Sequence, residues 1–253
     1  MTSNDGGLAV VIGATGAVGG AIRERLRTDG LSVIAVARNE AALRRLADND
    51  PGVTPCPADI GSDESGDRIR AACGGGEVRM VVQATGLPAA GPLARIEPAA
   101  LGDLVALKLG GLLRAVRAVE DVMQPGSRIV AIGGHFGSEP DPKTCGAGIT
   151  NAALANLVRQ LADHYGPYGI TSHLIAPGPL DTDRLRRIAE TAATDRGVDV
   201  DVVLDEYRHH SPLGRLTTVD DVAWAASLLL APHADALLGS MLGLDSGARR
   251  GLF

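Results

Sequence analysis

Aromatic side chains are nearly absent from this chain: one Trp, three Tyr and two Phe make up 2% of its 253 residues. A core built without them must come from Ala, Val, Leu and Ile, a palette suited to buried parallel strands and close helix–sheet packing. Basic charge is also short. With a formal net charge of −6, no basic stripe and no interleaved aromatics, the chain lacks the footprint of a nucleic-acid or anionic-membrane binder. Cysteine is scarce too: Cys56, Cys73 and Cys145 stand far apart without metal-ligand spacing, and such an odd, scattered set argues for reduced thiols in a cytoplasmic protein. No apolar run approaches the roughly 20 residues that cross a bilayer. The polar start MTSNDGG runs straight into a strand pattern rather than a signal peptide. No internal repeat, Ser-His-Asp elbow, zinc motif or domain boundary is legible, so residues 1–253 read as one domain without a metal site.

What the chain does have is alternation. Apolar runs at Leu8–Ile12, Leu31–Ala37, Val53–Pro57, Val78–Gln83, Arg128–Ile132 and Ile170–Ala176 read as strands. Between them lie helical patterns: Val18, Ile22 and Leu26 at helical spacing, a charged helix over Glu40–Ala47, and a long helix before Arg128. Alternating strands and helices imply parallel pairing with right-handed crossovers. The expected fold class is therefore α/β, a Rossmann-like doubly wound parallel sheet with helices on both faces. Thr218 and Asp221 cap a helix expected over Val222–Leu230 and closed by Ala231-Pro232. The stretch Asp183–His210 is charged, rich in Arg and Asp, and reads as a small helical lid.

Between the first strand and the first helix stands Gly13-Ala14-Thr15-Gly16-Ala17-Val18-Gly19. Glycines there let the backbone approach a pyrophosphate at a helix N-terminus, although they also suit a tight strand–helix turn. The second strand ends Val36-Ala37-Arg38-Asn39, with an arginine and no acid. An acid there would bind a ribose 2′-hydroxyl, whereas arginine grips a 2′-phosphate bidentately, so NADP(H) is expected over NAD(H). The other reading of Arg38 is a solvated loop residue.

With these residues the chain resembles a short-chain dehydrogenase/reductase over essentially its whole length. Further segments match in order: Ala58-Asp59-Ile60, Gln83-Ala84-Thr85-Gly86, Pro177-Gly178-Pro179-Leu180-Asp181-Thr182, Pro212-Leu213-Gly214-Arg215, Asp221-Val222-Ala223 and Leu244-Asp245-Ser246-Gly247. The resemblance implies a cofactor site at Gly13, Thr15, Gly16, Val18, Gly19, Arg38, Asp59, Ile60, Ala84, Thr85, Gly86, Lys108, Pro177, Gly178 and Thr182. It also implies a homodimer or homotetramer. Such enzymes use Asn, Ser, Tyr and Lys together. Here those places hold Lys108, the pair Gly133-Gly134, Ala147 and Asn151. The usual mechanism is thus absent.

Three residues are left as catalytic candidates. Lys108 falls on the apolar helical stripe Leu101, Leu104, Val105, Leu109, Leu112, Val116. A buried ammonium is driven toward neutrality and can serve as an acid, or its stem can simply pack while its head meets a ribose or carbonyl. His135, at the carboxyl end of a strand, could act as the acid or be solvated. Asn151 could bond the ribose without supplying charge. Asp181, Asp183, His209 and His210 lie on or near the lid, and the two histidines read as surface residues; Tyr165 and Tyr168 read as packing or turn residues. The expected function is an NADP(H)-dependent oxidoreductase with a non-standard acid site acting on a small carbonyl or cyclic substrate. The bias of Arg over Lys and the high Ala and Gly content suggest a GC-rich bacterial source and secondary metabolism. A non-redox enzyme of the same fold (dehydratase, isomerase or cyclase) and an inactive nucleotide-binding partner subunit are the alternatives.

Overall fold

Each apolar run becomes a strand shielded on both faces, which is what a parallel sheet with helices above and below requires. In the computed structural model, which describes residues 6–251, the strands are β1 (Leu8–Ile12), β2 (Ser32–Ala37), β3 (Val53–Pro57), β4 (Val78–Gln83), β5 (Met123–Ile132), β6 (Thr171–Pro177) and β7 (Met241–Leu244). They pair in parallel in the order β3-β2-β1-β4-β5-β6-β7. Successive side chains face opposite ways. Val10 and Ile12 join one core with Ile69 of α3 (Ser65–Cys73), Leu112 of α5 (Gly111–Val119) and Leu154 of α6 (Cys145–Tyr165). Ala9 and Val11 join the other with Ile22 of α1 (Ala17–Thr28), Leu43 of α2 (Glu40–Asn49) and Val222 of α9 (Val219–Leu228).

The structure departs from expectation in four places. β5 begins at Met123, so Gln124-Pro125-Gly126-Ser127, turn-like in composition, is already in the strand. β7 is an additional edge strand of four residues, half-exposed throughout. The expected long helix is interrupted: α4 (Pro98–Val105) passes into a widened π turn, Ala106–Gly110, before α5. Finally, α9 starts three residues before Val222, because Thr218 and Asp221 form a reciprocal cap, Asp221 N donating to Thr218 Oγ1 at 3.1 Å and Thr218 N to Asp221 Oδ2 at 2.8 Å.

The stretch expected as a lid is two helices, α7 (Asp183–Arg196) and α8 (Val200–His209), packed through Leu185, Ala189, Ala193, Val203 and Leu204. Arg196 clamps Glu206 across them with two bonds. His209 and His210 are exposed, and no cluster of metal ligands occurs among the described residues. All three cysteines are buried and unpaired. No helix among the described residues is long and apolar enough to cross a membrane.

Polar residues inside the sheet are individually bonded. Arg128 on β5 donates from Nε to the Leu229 carbonyl at 2.6 Å and pairs Asp235 at 2.8 Å, closing the end of α9. His173 on β6 is fully buried, its ring bonded to Thr171 Oγ1 (2.8 Å) and the Leu237 carbonyl (3.1 Å). Burial pulls its pKa down to about 4. Between that value and its ordinary range the unfolded chain binds the proton and the folded one does not, so stability falls as pH drops through this window. Urea unfolding from pH 7 to 4 should show a loss of roughly 2–3 kcal/mol from this residue. His173→Gln should flatten that slope, and an unchanged slope would refute the assignment.

Candidate functional site

β1 lies between β2 and β4, so the crossovers leave it in opposite directions and a crevice opens beyond the carboxyl ends of β1 and β4. The glycine turn sits there. Gly13, at φ +81°, donates its N–H to the Val36 carbonyl at 2.8 Å. A side chain at Gly19 would come within 2.2 Å of the Gly13 carbonyl oxygen, so only glycine lets α1 cross this close. The N-terminus of α1 has no side-chain cap and no acid in its first turn, leaving its N–H groups directed at the crevice. Thr15 and Gly16 are exposed on the turn, and Val18 is half-buried behind it.

At the end of β2, exposed Arg38 lines a cavity of ≈ 440 Å³ together with Pro57, Ala58, Asp59, Ser62 and Arg68. Asn39 is occupied in capping α2, accepting from Ala42 N at 3.0 Å. Asp59 Oδ1 accepts from Gly61 N at 3.0 Å, which shapes the turn, and Ile60 is buried beneath it. Arg68 donates to the Pro57 carbonyl at 2.9 Å, bringing a second guanidinium to this cavity.

The floor of the crevice is Gln83-Ala84-Thr85-Gly86. Gln83 is fully buried; its Oε1 accepts from Thr85 N at 3.0 Å and its Nε2 donates to the Lys108 carbonyl at 3.3 Å. That carbonyl belongs to the π turn, a widening often found at functional sites. Lys108 itself is 4% exposed and donates from Nζ to the Thr85 carbonyl at 2.5 Å. No carboxylate pairs with it among the described residues. Burial, and secondarily the Arg184 guanidinium, pull its pKa down to about 7. Thr85 Oγ1 is buried without a hydrogen-bond partner, an orphan polar atom in the crevice floor.

The family profile described as enoyl-(acyl carrier protein) reductase matches residues 13–249. The chain belongs to the short-chain dehydrogenase/reductase superfamily. It is 28% identical over 252 residues to the 3-oxoacyl-[acyl-carrier-protein] reductase FabG of Salmonella typhimurium, covering 97% of this chain and 98% of that one. It is also 28% identical to the short-chain reductase protein NovJ of Streptomyces niveus, covering 95% and 93%. Among solved structures, a short chain dehydrogenase family protein from Francisella tularensis shares the fold with TM-score 0.86 at 18% identity, covering 96% of this chain and 98% of that one. An NADPH-bound short chain oxidoreductase from Pseudomonas aeruginosa, described as containing an atypical catalytic center, does so with TM-score 0.84 at 24% identity, covering 97% of each.

In this short-chain dehydrogenase/reductase, Gly134 and Asn151 come together beyond the end of β5. Gly134 follows β5, and a Cβ placed on it would lie 3.0 Å from Asn151 Nδ2 on α6. Asn151 is buried and occupies the space a serine side chain at 134 would need. His135 is half-buried; burial lowers its pKa, partly opposed by the Pro177 carbonyl, Glu139 and Asp245. Protonated imidazole is correspondingly scarcer there than on an exposed histidine at the same pH.

Pro177 ends β6, and Gly178 packs against Asp245, where a Cβ would fall 2.9 Å from that residue's own. Thr182 caps α7, accepting from Leu185 N at 3.4 Å and donating to the Leu180 carbonyl at 3.3 Å, so its hydroxyl is engaged within the lid. The sequence reading missed Gln83 as the link between Thr85 and Lys108, and it missed Arg68 and Arg184. Neither arginine carries a spacing that separates it from its charged neighbours.

The Gly134–Asn151 contact yields a non-additive prediction. Gly134→Ser should destabilise the protein by about 1–3 kcal/mol through overpacking, whereas adding Asn151→Ala should recover most of that loss. Purely additive unfolding energies in the double-mutant cycle would refute the contact.

Proposed function

We propose that the protein is an NADP(H)-dependent reductase of a small carbonyl or cyclic substrate, with Lys108 in the acid role usually given to tyrosine. The observation that carries this reading is a buried ammonium without a carboxylate partner, held on a π turn at the crevice floor. The residues present fit the cofactor. The close Gly13–Gly19 crossing, the uncapped start of α1 and the orphan Thr85 hydroxyl suit a dinucleotide diphosphate and ribose. Arg38 and Arg68 suit a 2′-phosphate. A protein of the same fold binds NADPH.

When bound, the reduced nicotinamide supplies a hydride to the carbonyl carbon. The carbonyl π pair moves to oxygen, and Lys108 Nζ gives that oxygen a proton, so C–H and O–H bonds replace the C=O π bond. The lysine then regains its proton from solvent. Gln83 fixes the π-turn carbonyl and Thr85 fixes the ammonium, so Lys108 is oriented before substrate arrives. Asn151, facing Gly134, is positioned to bond the substrate oxygen or ribose. The half-exposed edge strand β7, with exposed Trp224 and Leu228 on α9 and Leu237 and Met241 beside it, supports assembly as a homodimer or homotetramer.

Two measurements test the reading. NADPH should bind, and Arg38→Ala should raise its Kd at least about tenfold while leaving NADH nearly unchanged. Failure of either nucleotide to bind would overturn the proposal. An acid must be protonated, so with a pKa of about 7 the kcat/KM for carbonyl reduction should be flat below pH 7 and fall above it. Lys108→Met should lower the rate by about 10²–10⁴, and Lys108→Arg should remove the break near pH 7. A wild-type profile flat from pH 6 to 9 would refute the acid role.

A further inference from the structure

We propose that the crevice under the lid takes a substrate bearing a carboxylate-class anion, held by the Arg184 guanidinium beside Lys108. The identity of the reacting carbonyl rests on the reductase reading above; the anion site rests on its own geometry.

Arg184 lies in the first turn of α7 and reaches from the lid to the crevice floor. Its Nη1 is 3.4 Å from where a Cβ on Gly86 would stand. Lys108 Nζ is bonded to the carbonyl of Thr85, the preceding residue. Two cations thus flank the adjacent residues Thr85 and Gly86, one from the sheet side and one from the lid. After burial, the larger cause, the Arg184 charge adds to the lowering of the lysine pKa.

Such a pairing ordinarily comes with an intervening acid, and none pairs with either group among the described residues. Lys108 has a neutral carbonyl for its partner. Of the other lid arginines, Arg196 is paired with Glu206 and Arg208 with Asp205, whereas Arg184 makes no ion pair among the described residues. Asp181 and Asp183, its near neighbours in the chain, do not bond it; the Asp181 N–H is directed away, to the Thr217 carbonyl. Thr85, whose carbonyl holds the ammonium, adds a buried unpartnered hydroxyl oxygen of its own.

A planar guanidinium on an exposed helix, facing a floor with no carboxylate, matches the fork of two oxygens on a carboxylate. The phosphates of a dinucleotide have separate cationic groups in the N-terminus of α1, Arg38 and Arg68, so Arg184 is not needed for them. A lid-borne anchor also couples substrate capture to lid position: an anion bridging Arg184 and the floor joins α7 to the sheet and excludes water from Lys108.

The test is calorimetric titration of the full-length protein, with and without saturating NADPH, using acetate, benzoate and oxalate. Acetamide and benzamide serve as neutral counterparts. At least one carboxylate should bind where its amide does not. Arg184→Gln, at an exposed position, should raise that Kd about tenfold or more, and Arg184→Lys should recover part of the loss. NADPH affinity should be unchanged in both variants.

The proposal is overturned if no carboxylate binds in preference to its amide, or if carboxylate binding survives in Arg184→Gln. It is also overturned if Arg184→Gln weakens NADPH instead, which would assign the guanidinium to the cofactor. Carboxylate binding without any NADPH binding would sustain the anion site while sinking the reductase reading.

Discussion

The molecule depends on one approach that only hydrogen permits: α1 crosses the Gly13 carbonyl so closely that any Cβ at Gly19 would stand 2.2 Å from it. Because α1 is held against β1, its N-terminus points at the crevice, and Gly13 in turn packs against Ala84 and Thr85. Those residues hold the Lys108 ammonium through the Thr85 carbonyl. A chain of close contacts therefore runs from the nucleotide turn to the charged group at the floor. Widening the first contact would move the last.

Glycine at 134 and asparagine at 151 are sterically complementary. Lys108 stands on the π turn between α4 and α5. There it is buried and bonded to a neutral carbonyl, so its ionisation lies near neutrality instead of far above it. Burial lowers the pKa of His135, which follows β5, as well.

Much of this architecture could be read from the chain. Six strands announce themselves as apolar runs because both faces of a parallel sheet are covered. Lys108 stood out because a charge on an apolar stripe has few structural explanations. β7 was hidden by its shortness, its exposure and Gly243, which leave no alternation strong enough to notice. The π turn was hidden for the opposite reason: Leu104 and Leu112 on either side remain buried, so the hydrophobic periodicity runs through without a break. Arg184 was illegible because Arg184, Arg186 and Arg187 look alike in sequence, and only the packing of α7 decides which one meets Gly86.

The scarcity of aromatic residues has an optical consequence. The sole tryptophan, Trp224, is 51% exposed on the outer side of α9, and no indole lies in either core. Tryptophan emission from this protein therefore describes its skin. It would respond to whatever covers α9, such as a second copy of the chain, while repacking of the sheet and its flanking helices would pass almost unseen.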